Sequence, residues 1–365
     1  MKLECKIEEL KNGISQVERI TGKNLTLPIL NSILLIANKK SLILRATNLS
    51  LGIEIEVPAK IEQEGTVAIN GSALHGVFSN FFQNESVTLE SVDGNLLLTT
   101  KKSKIKLKGQ AVDDFPTIPK VSGITFEIEG VKFINGIKSV YYSSSVSDIK
   151  PEISSVFMYT RDDSLVFVST DSFRLAEKKV KVKGLPDISG ILLPFKNISE
   201  ILRVFGDYKG NMNICFSKNA ISFSGEFTYL TSRVIDGLFP DYNQIIPKQF
   251  TTTTTVLKQD LLNALKLSNI FSDKFNQVNL TAKPKAKLFE LSATHNDIGE
   301  NKTTVDASQT GEDIELAFNY KYFLDCFQSI QTDSLSIKFA GNSKPIVVSP
   351  QSDPSFTYLI MPMNR

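Results

Sequence analysis

"SLVFVSTDSFRLA", Ser164–Ala176, is an alternating apolar strand that runs into Thr170-Asp171 and then presents Arg174 and Leu175. An acid at a strand end beside an arginine fits catalytic machinery, and it fits an ordinary turn equally well. What decides is whether the stretch occurs once. It does not: "SLILRATN" (41–48) and "KLFELSATH" (287–295) have the same form, alternating apolar residues, a small residue, Thr and a polar turn residue. Their threonines, Thr47, Thr170 and Thr294, lie about 123 residues apart, the mark of an internal repeat.

Other landmarks keep that period. "GTVAINGSALHGVFSNF", "GILLPFKNISEILRVFG" and "DIELAFNYKYFLDCFQSI" each run a short apolar strand into an amphipathic helix, ending near Phe78, Phe205 and Phe327. Upstream, "LECKIEELKNGISQVERI", "TFEIEGVKFINGIKSVYY" and "TTTVLKQDLLNALKLSNIF" again read strand, then helix. Apolar steps of three and four residues (Leu10, Ile14, Val17; Leu261, Leu265) mark the helices. "DDFPTIPK" closes the first repeat and "GLFPDYNQIIPK" the second. The expected fold is α+β, three tandem domains at 1–121, 122–249 and 250–365, each with two helices on antiparallel sheet.

Composition narrows the function. With 41% hydrophobic and 22% charged residues the chain is of globular type. The longest apolar run, "LPILNSILLIA", is far short of a membrane span. "MKLECKIEELKNG" is charged where a signal peptide is apolar, so a cytoplasmic location is expected. Cys5, Cys215 and Cys326 are scattered and read as small core residues. His75 falls in a helical pattern and His295 in a polar turn, so neither suggests a metal or a triad, and no cofactor is expected. A net charge of +2 is too small for tight DNA binding by phosphate neutralisation alone.

Triplication also tests the catalytic reading of Asp171. Its counterparts are Asn48 and His295, so the slot calls for a turn former, and what the middle copy adds is "SFRLA". P-loop, GxGxxG, HExxH and GxSxG motifs are absent, and Asp113-Asp114 and Asp162-Asp163 read as solvated acids. "KKSKIKLKG" (101–109) alternates lysines with Ile105 and Leu107, as a lysine-guarded edge strand does.

"LTLPILNSILLIA" (25–37), "STDSFRLA" (169–176), "RVIDGLFPDYNQIIP" (233–247), "AFNYKYFLD" (317–325) and "IMPM" (360–363) together resemble the bacterial DNA sliding clamps, the beta subunits of DNA polymerase III. The resemblance spans the whole chain. It implies a non-enzymatic processivity factor, a head-to-tail homodimeric ring that encircles duplex DNA without sequence preference. It also implies a groove for Gln-Leu-x-Leu-Phe-type peptides of the polymerase alpha subunit, the clamp loader, and repair and translesion polymerases. By motif matching, Ile153, Thr170, Arg174, Leu175, Pro240 and Ile245 line that groove from the middle domain. Phe275, Asn319, Tyr322, Pro345, Ile360, Met361, Pro362 and Met363 line it from the third. Ser172-Phe173 stands where many relatives have Gly-His, and Gln244 lies near a basic position of the family.

For the DNA-facing surface the resemblance implies Arg19, Lys23, Asn24, Lys132, Lys138, Tyr141, Arg203, Lys258 and Lys266. For the dimer joint it sets Lys102, Lys104, Ile105 and Leu107 of domain one against Ile270, Asp297 and Glu300 of domain three. Two other readings remain open on the residues alone: a repeat-built peptide scaffold that does not encircle DNA, and a hydrolase using Asp171 and Asp241.

Overall fold

A computed structural model of the chain describes residues 1–22, 26–81 and 85–363. The first repeat runs β1 (Lys2–Lys6), α1 (Ile7–Glu18), β2 (Ser32–Ala37), β3 (Leu42–Thr47), β4 (Leu51–Val57), β5 (Lys60–Gln63) and β6 (Gly65–Asn70). It continues with α2 (Gly71–Ser79), β7 (Ser86–Val92), β8 (Asn95–Thr99), β9 (Lys104–Leu107) and β10 (Gly109–Gln110). The second runs β11 (Ile124–Glu129), α3 (Gly130–Lys138), β12 (Ser155–Arg161), β13 (Ser164–Thr170) and β14 (Arg174–Lys181). Then come β15 (Ile191–Pro194), α4 (Phe195–Phe205), β16 (Asn211–Phe216), β17 (Ala220–Ser224) and β18 (Thr228–Arg233). The third runs β19 (Thr252–Leu257), α5 (Lys258–Ile270), β20 (Gln277–Lys283), β21 (Leu288–His295), β22 (Gly299–Thr304) and β23 (Ala307–Gly311). It ends with β24 (Ile314–Asn319), α6 (Tyr320–Cys326), β25 (Ser334–Phe339), β26 (Ile346–Pro350) and β27 (Phe356–Ile360). Each of α1 to α6 follows its strand without a loop. Asn70 and Asn319, last residues of their strands, cap α2 and α6 with their side chains.

The helical periodicity buries one face, with Leu10, Ile14, Val17, Leu261 and Leu265 all inside. The sheets do not follow the repeats one for one. Among the described residues four antiparallel sheets form, and two of them have nine strands each: β10-β6-β2-β3-β4-β18-β17-β16-β11 and β15-β12-β13-β14-β27-β26-β25-β19-β23. In each, a strand of one repeat pairs with the last strand of the next, β4 with β18 and β14 with β27. The chain accordingly forms two compact units, Met1–Ile134 with Lys196–Asp236, and Asn135–Phe195 with the residues from Gly237 onward. Among the described residues the half-sheets β5-β1-β7-β8-β9 and β22-β21-β20-β24 stand alone.

The two matching repeat ends act as straps. In the first unit Val112 and Phe115 pack on Ile29, Leu34 and Ala68. In the second, Phe239, Tyr242, Ile246 and Phe250 cover Val166, Val168, Leu175, Val347 and Leu359. Phe239 stacks on Phe157 at 4.9 Å between ring centroids, and apolar burial of this kind is worth about 25 cal/mol per Å².

The helices also lie close to their sheets at one repeated position. A Cβ on Gly136 of α3 would meet the Phe167 ring at 2.4 Å, and one on Gly13 of α1 would meet Leu44 at 2.9 Å. At the matching place in α5 stands buried Ala264. Gly136→Val is expected to lower stability by about 1–3 kcal/mol through overpacking, read as a fall in melting temperature.

Candidate functional site

The turn after β13 is built by two side chains. Thr170 Oγ1 donates to the Arg174 carbonyl at 2.7 Å and accepts from the Ser172 amide at 3.1 Å. Asp171 Oδ1 accepts from the amides of Phe173 and Arg174, both at 3.0 Å, and Ser172 takes φ +79°. The first repeat makes the same turn. Thr47 Oγ1 donates to the Leu51 carbonyl at 2.7 Å, Asn48 Oδ1 accepts from Ser50 and Leu51, and Leu49 has φ +72°. Asp171 therefore does the work of Asn48, and both of its oxygens are occupied, Oδ2 by Arg174 Nε at 2.9 Å.

Arg174 is the hub of the site. Its guanidinium also donates to Asp325 of α6 and lies 4.8 Å from the ring centroid of Tyr322. Burial works against its charge, yet Tyr358, Asp325 and Asp171 outweigh that and raise its pKa further, so it is a permanent cation. Through Arg174 the turn and α6 hold each other in place. The tail is pinned between the turn and β24: the Met361 amide donates to the Phe173 carbonyl and the Met363 amide to the Ala317 carbonyl, each at 2.8 Å.

On the strap, Tyr242 OH donates to buried Glu177 at 2.5 Å and lies 2.7 Å from Tyr159 OH. Burial, reinforced by Glu177, holds Tyr242 far above the ordinary phenol range, so it remains a donor. Gln244 turns its amide to Asp241 at 2.8 Å, and that bond holds the Asp241 carboxyl below its usual value.

The groove candidates divide by exposure. Ile153, Thr170, Leu175, Pro345 and Ile360 are buried and form a bed. Asn319, Tyr322, Met361, Pro362 and Met363 are half-buried, while Pro240, Ile245 and Phe275 are exposed. Phe173, not counted among the groove residues by motif, is 61% exposed, a large apolar side chain held out by the Ser172 turn. Positive φ at Ser172 was the signal for it, and a sequence does not display that.

Of the cations expected to face DNA, Arg19, Lys138 and Lys266 are exposed. Arg203 is engaged elsewhere: its Nη atoms donate to the carbonyls of Ser15 and Gln16 at 3.1 and 2.6 Å, and Nε to Glu200 at 2.7 Å. It caps the C-terminal turn of α1. Lys258 donates to the Ile330 carbonyl at 2.6 Å, Lys132 pairs with Glu129 at 2.5 Å, and Tyr141 stacks on Phe195. Lys23 and Asn24 lie outside the described residues.

Of the joint candidates, Lys102, Lys104, Asp297 and Glu300 are exposed and Ile105 and Leu107 half-buried. β9 and β22 are edge strands, and Ile270 is 56% exposed. Burial pushes the Cys5 thiol up to about 12 and that of Cys326 higher still, so both are inert. Among the described residues, no group of three or more His, Cys, Asp or Glu could hold a metal ion, and no helix is long and apolar enough to cross a membrane.

A triplicated α+β chain with shared nine-stranded sheets defines the class of the DNA clamps, and comparison with known proteins agrees. Sequence models of the DNA polymerase III beta subunit match in order, the N-terminal domain over residues 1–119, the central domain over 127–241 and the C-terminal domain over 243–364. The beta sliding clamp of Synechococcus elongatus is 28% identical over 100% of this chain and 99% of its own. That of Staphylococcus epidermidis is 26% identical at the same coverage. Among solved structures, the DNA polymerase III subunit beta of Pseudomonas aeruginosa superposes with a TM-score of 0.95 at 22% identity, each chain fully covered. The polymerase sliding clamp of Bacillus subtilis gives 0.95 at 23%, covering 100% of this chain and 99% of that one. The chain belongs to the DNA polymerase III beta subunit family. It is thus a DNA sliding clamp, a non-catalytic processivity factor of DNA replication.

Proposed function

We propose that two copies join head to tail into a closed ring around duplex DNA, each copy contributing domains 1–121, 122–249 and 250–365. One observation carries this: the two half-sheets have five and four strands, and joined through β9 and β22 they make a third nine-stranded sheet whose strand order repeats that of the sheet from β15 to β23 and shares eight strand positions with the sheet from β10 to β11. Ring closure by a repeated heterologous contact uses up both edges, which otherwise invite uncontrolled pairing. Topology then retains the DNA, so a net charge of only +2 is no handicap. Mobile phosphate contacts from Arg19, Lys138 and Lys266 suffice.

On this reading the site around Arg174 receives Gln-Leu-x-Leu-Phe-type peptides of the polymerase alpha subunit, the clamp loader, and repair and translesion polymerases in the cytoplasm. Phe173, Ile245, Phe275 and the tail methionines offer apolar surface to Leu and Phe anchors, and Tyr322 and Asn319 supply polar atoms. After loading onto a nicked circular plasmid by a clamp loader, the protein is expected to remain bound through gel filtration and to be lost when the circle is linearised. Retention that survives linearisation would favour a scaffold that does not encircle DNA.

A further inference from the structure

The repeat specifies more than which edges meet. Thr47, Thr170 and Thr294 pair with Gly52, Leu175 and Glu300, which makes Glu54, Glu177 and Lys302 counterparts, as are Ile53, Ala176 and Asn301. On the other side, Leu3, Phe126 and Thr254 each stand four residues before their helix. Following the ladders outward from them reaches Leu89, Ile214 and Ile337, and then Leu98, Phe223 and Val348. Their partners Ile105, Leu230 and Tyr358 are therefore counterparts. Within the chain, Leu230 pairs with Ile53 and Tyr358 with Ala176.

The same register between copies sets Ile105 opposite Asn301, Lys106 opposite Glu300 and Lys104 opposite Lys302. Both internal joints carry a glutamate where Lys302 stands. Glu54 is held by Arg45 Nη2 at 2.7 Å and by Lys120, and Glu177 by Tyr242 at 2.5 Å and Lys179 at 3.2 Å. Both internal joints also bury an apolar side chain, Ile53 or Ala176, in the slot of Asn301. Asn301 instead accepts hydrogen bonds from Ser268 and Thr303, each at 3.2 Å.

We propose that two copies pair β9 with β22 in this register, and that the joint between copies is the one of three kinds whose ladder sets charges directly opposite one another, Lys104 against Lys302 offsetting Lys106 against Glu300, whereas the internal ladders face Glu54 with Tyr229 and Glu177 with Thr357. The inference rests on the head-to-tail ring and adds its register and its charge control. Like charges directly opposite on a ladder destabilise it, and opposite charges stabilise it by a similar amount.

Sedimentation equilibrium of the full chain tests it. At low salt, Lys302→Glu is expected to tighten the dimer about fivefold and Lys106→Glu to weaken it about fivefold, with both effects fading at high salt. A register shifted by two residues sets Lys106 opposite Lys302 and reverses the Lys106→Glu result. A Lys302→Glu dimer no tighter than wild type, or a Lys106→Glu dimer tighter than it, overturns the register while leaving the ring intact. A wild-type chain that stays monomeric at micromolar concentration overturns the ring itself, and this inference with it.

Discussion

Arg174→Ala is expected to weaken binding of a Gln-Leu-x-Leu-Phe peptide at least about tenfold, measured by fluorescence anisotropy with a labelled peptide. The guanidinium is nearly enclosed and joins three groups, Asp171 in the turn, Asp325 on α6 and the Tyr322 ring. Removing it leaves Asp171, with a side chain 18% exposed, short of its counter-charge, and breaking such a pair costs more than the pair itself contributes. The turn that presents Phe173 and anchors Met361 then loses its tie to α6, so the peptide must reorder a surface that is now preset. Arg174→Lys is expected to fall between the two, because an ammonium keeps the charge but cannot reach two carboxylates and a ring face with one planar fork. Equal affinity for all three proteins would remove Arg174 from the groove.

Ile105→Asp is expected to raise the dimer dissociation constant about a hundredfold, observed by sedimentation velocity as monomer at concentrations where wild type is dimeric. In the proposed joint a carboxylate would sit at the centre opposite Asn301, and burying its charge there without a counter-charge costs several kcal/mol. The monomer should melt as before, since Ile105 lies on an edge strand and is only half-buried. Its counterpart Leu230→Asp should behave otherwise. Leu230 is fully buried and pairs with Ile53 inside one chain, so that substitution is expected to prevent folding. On the proposed ring, one repeat position governs assembly at one joint and folding at another.

Much of the fold was legible because its signals are local. The strand-to-helix junctions at Lys6, Asn70, Glu129, Pro194, Leu257 and Asn319 follow from a period of two giving way to a period of 3.6. Asp171 could be recognised as a turn residue by its sister Asn48, and the hydrogen bonds at both turns agree. The engagement of Arg203 with α1 and of Lys258 with the Ile330 carbonyl was not legible. A cation on a polar helix face looks the same in sequence whether it meets solvent or the end of another helix.

By itself the sequence determined the triplication, the α+β class, the family and the edge character of 101–109, since each rests on order and spacing along the chain. Only the tertiary structure decided that two sheets of nine strands are shared between successive repeats while half-sheets of five and four strands are left over. It also decided that Phe173 points outward and that Leu175 and Ile360 lie beneath the surface. The physical reason is that strand pairing between β4 and β18, or β14 and β27, joins residues far apart in the chain by main-chain hydrogen bonds common to every residue type. Side chains write the period, and the choice of neighbour emerges only when the whole surface is buried at once.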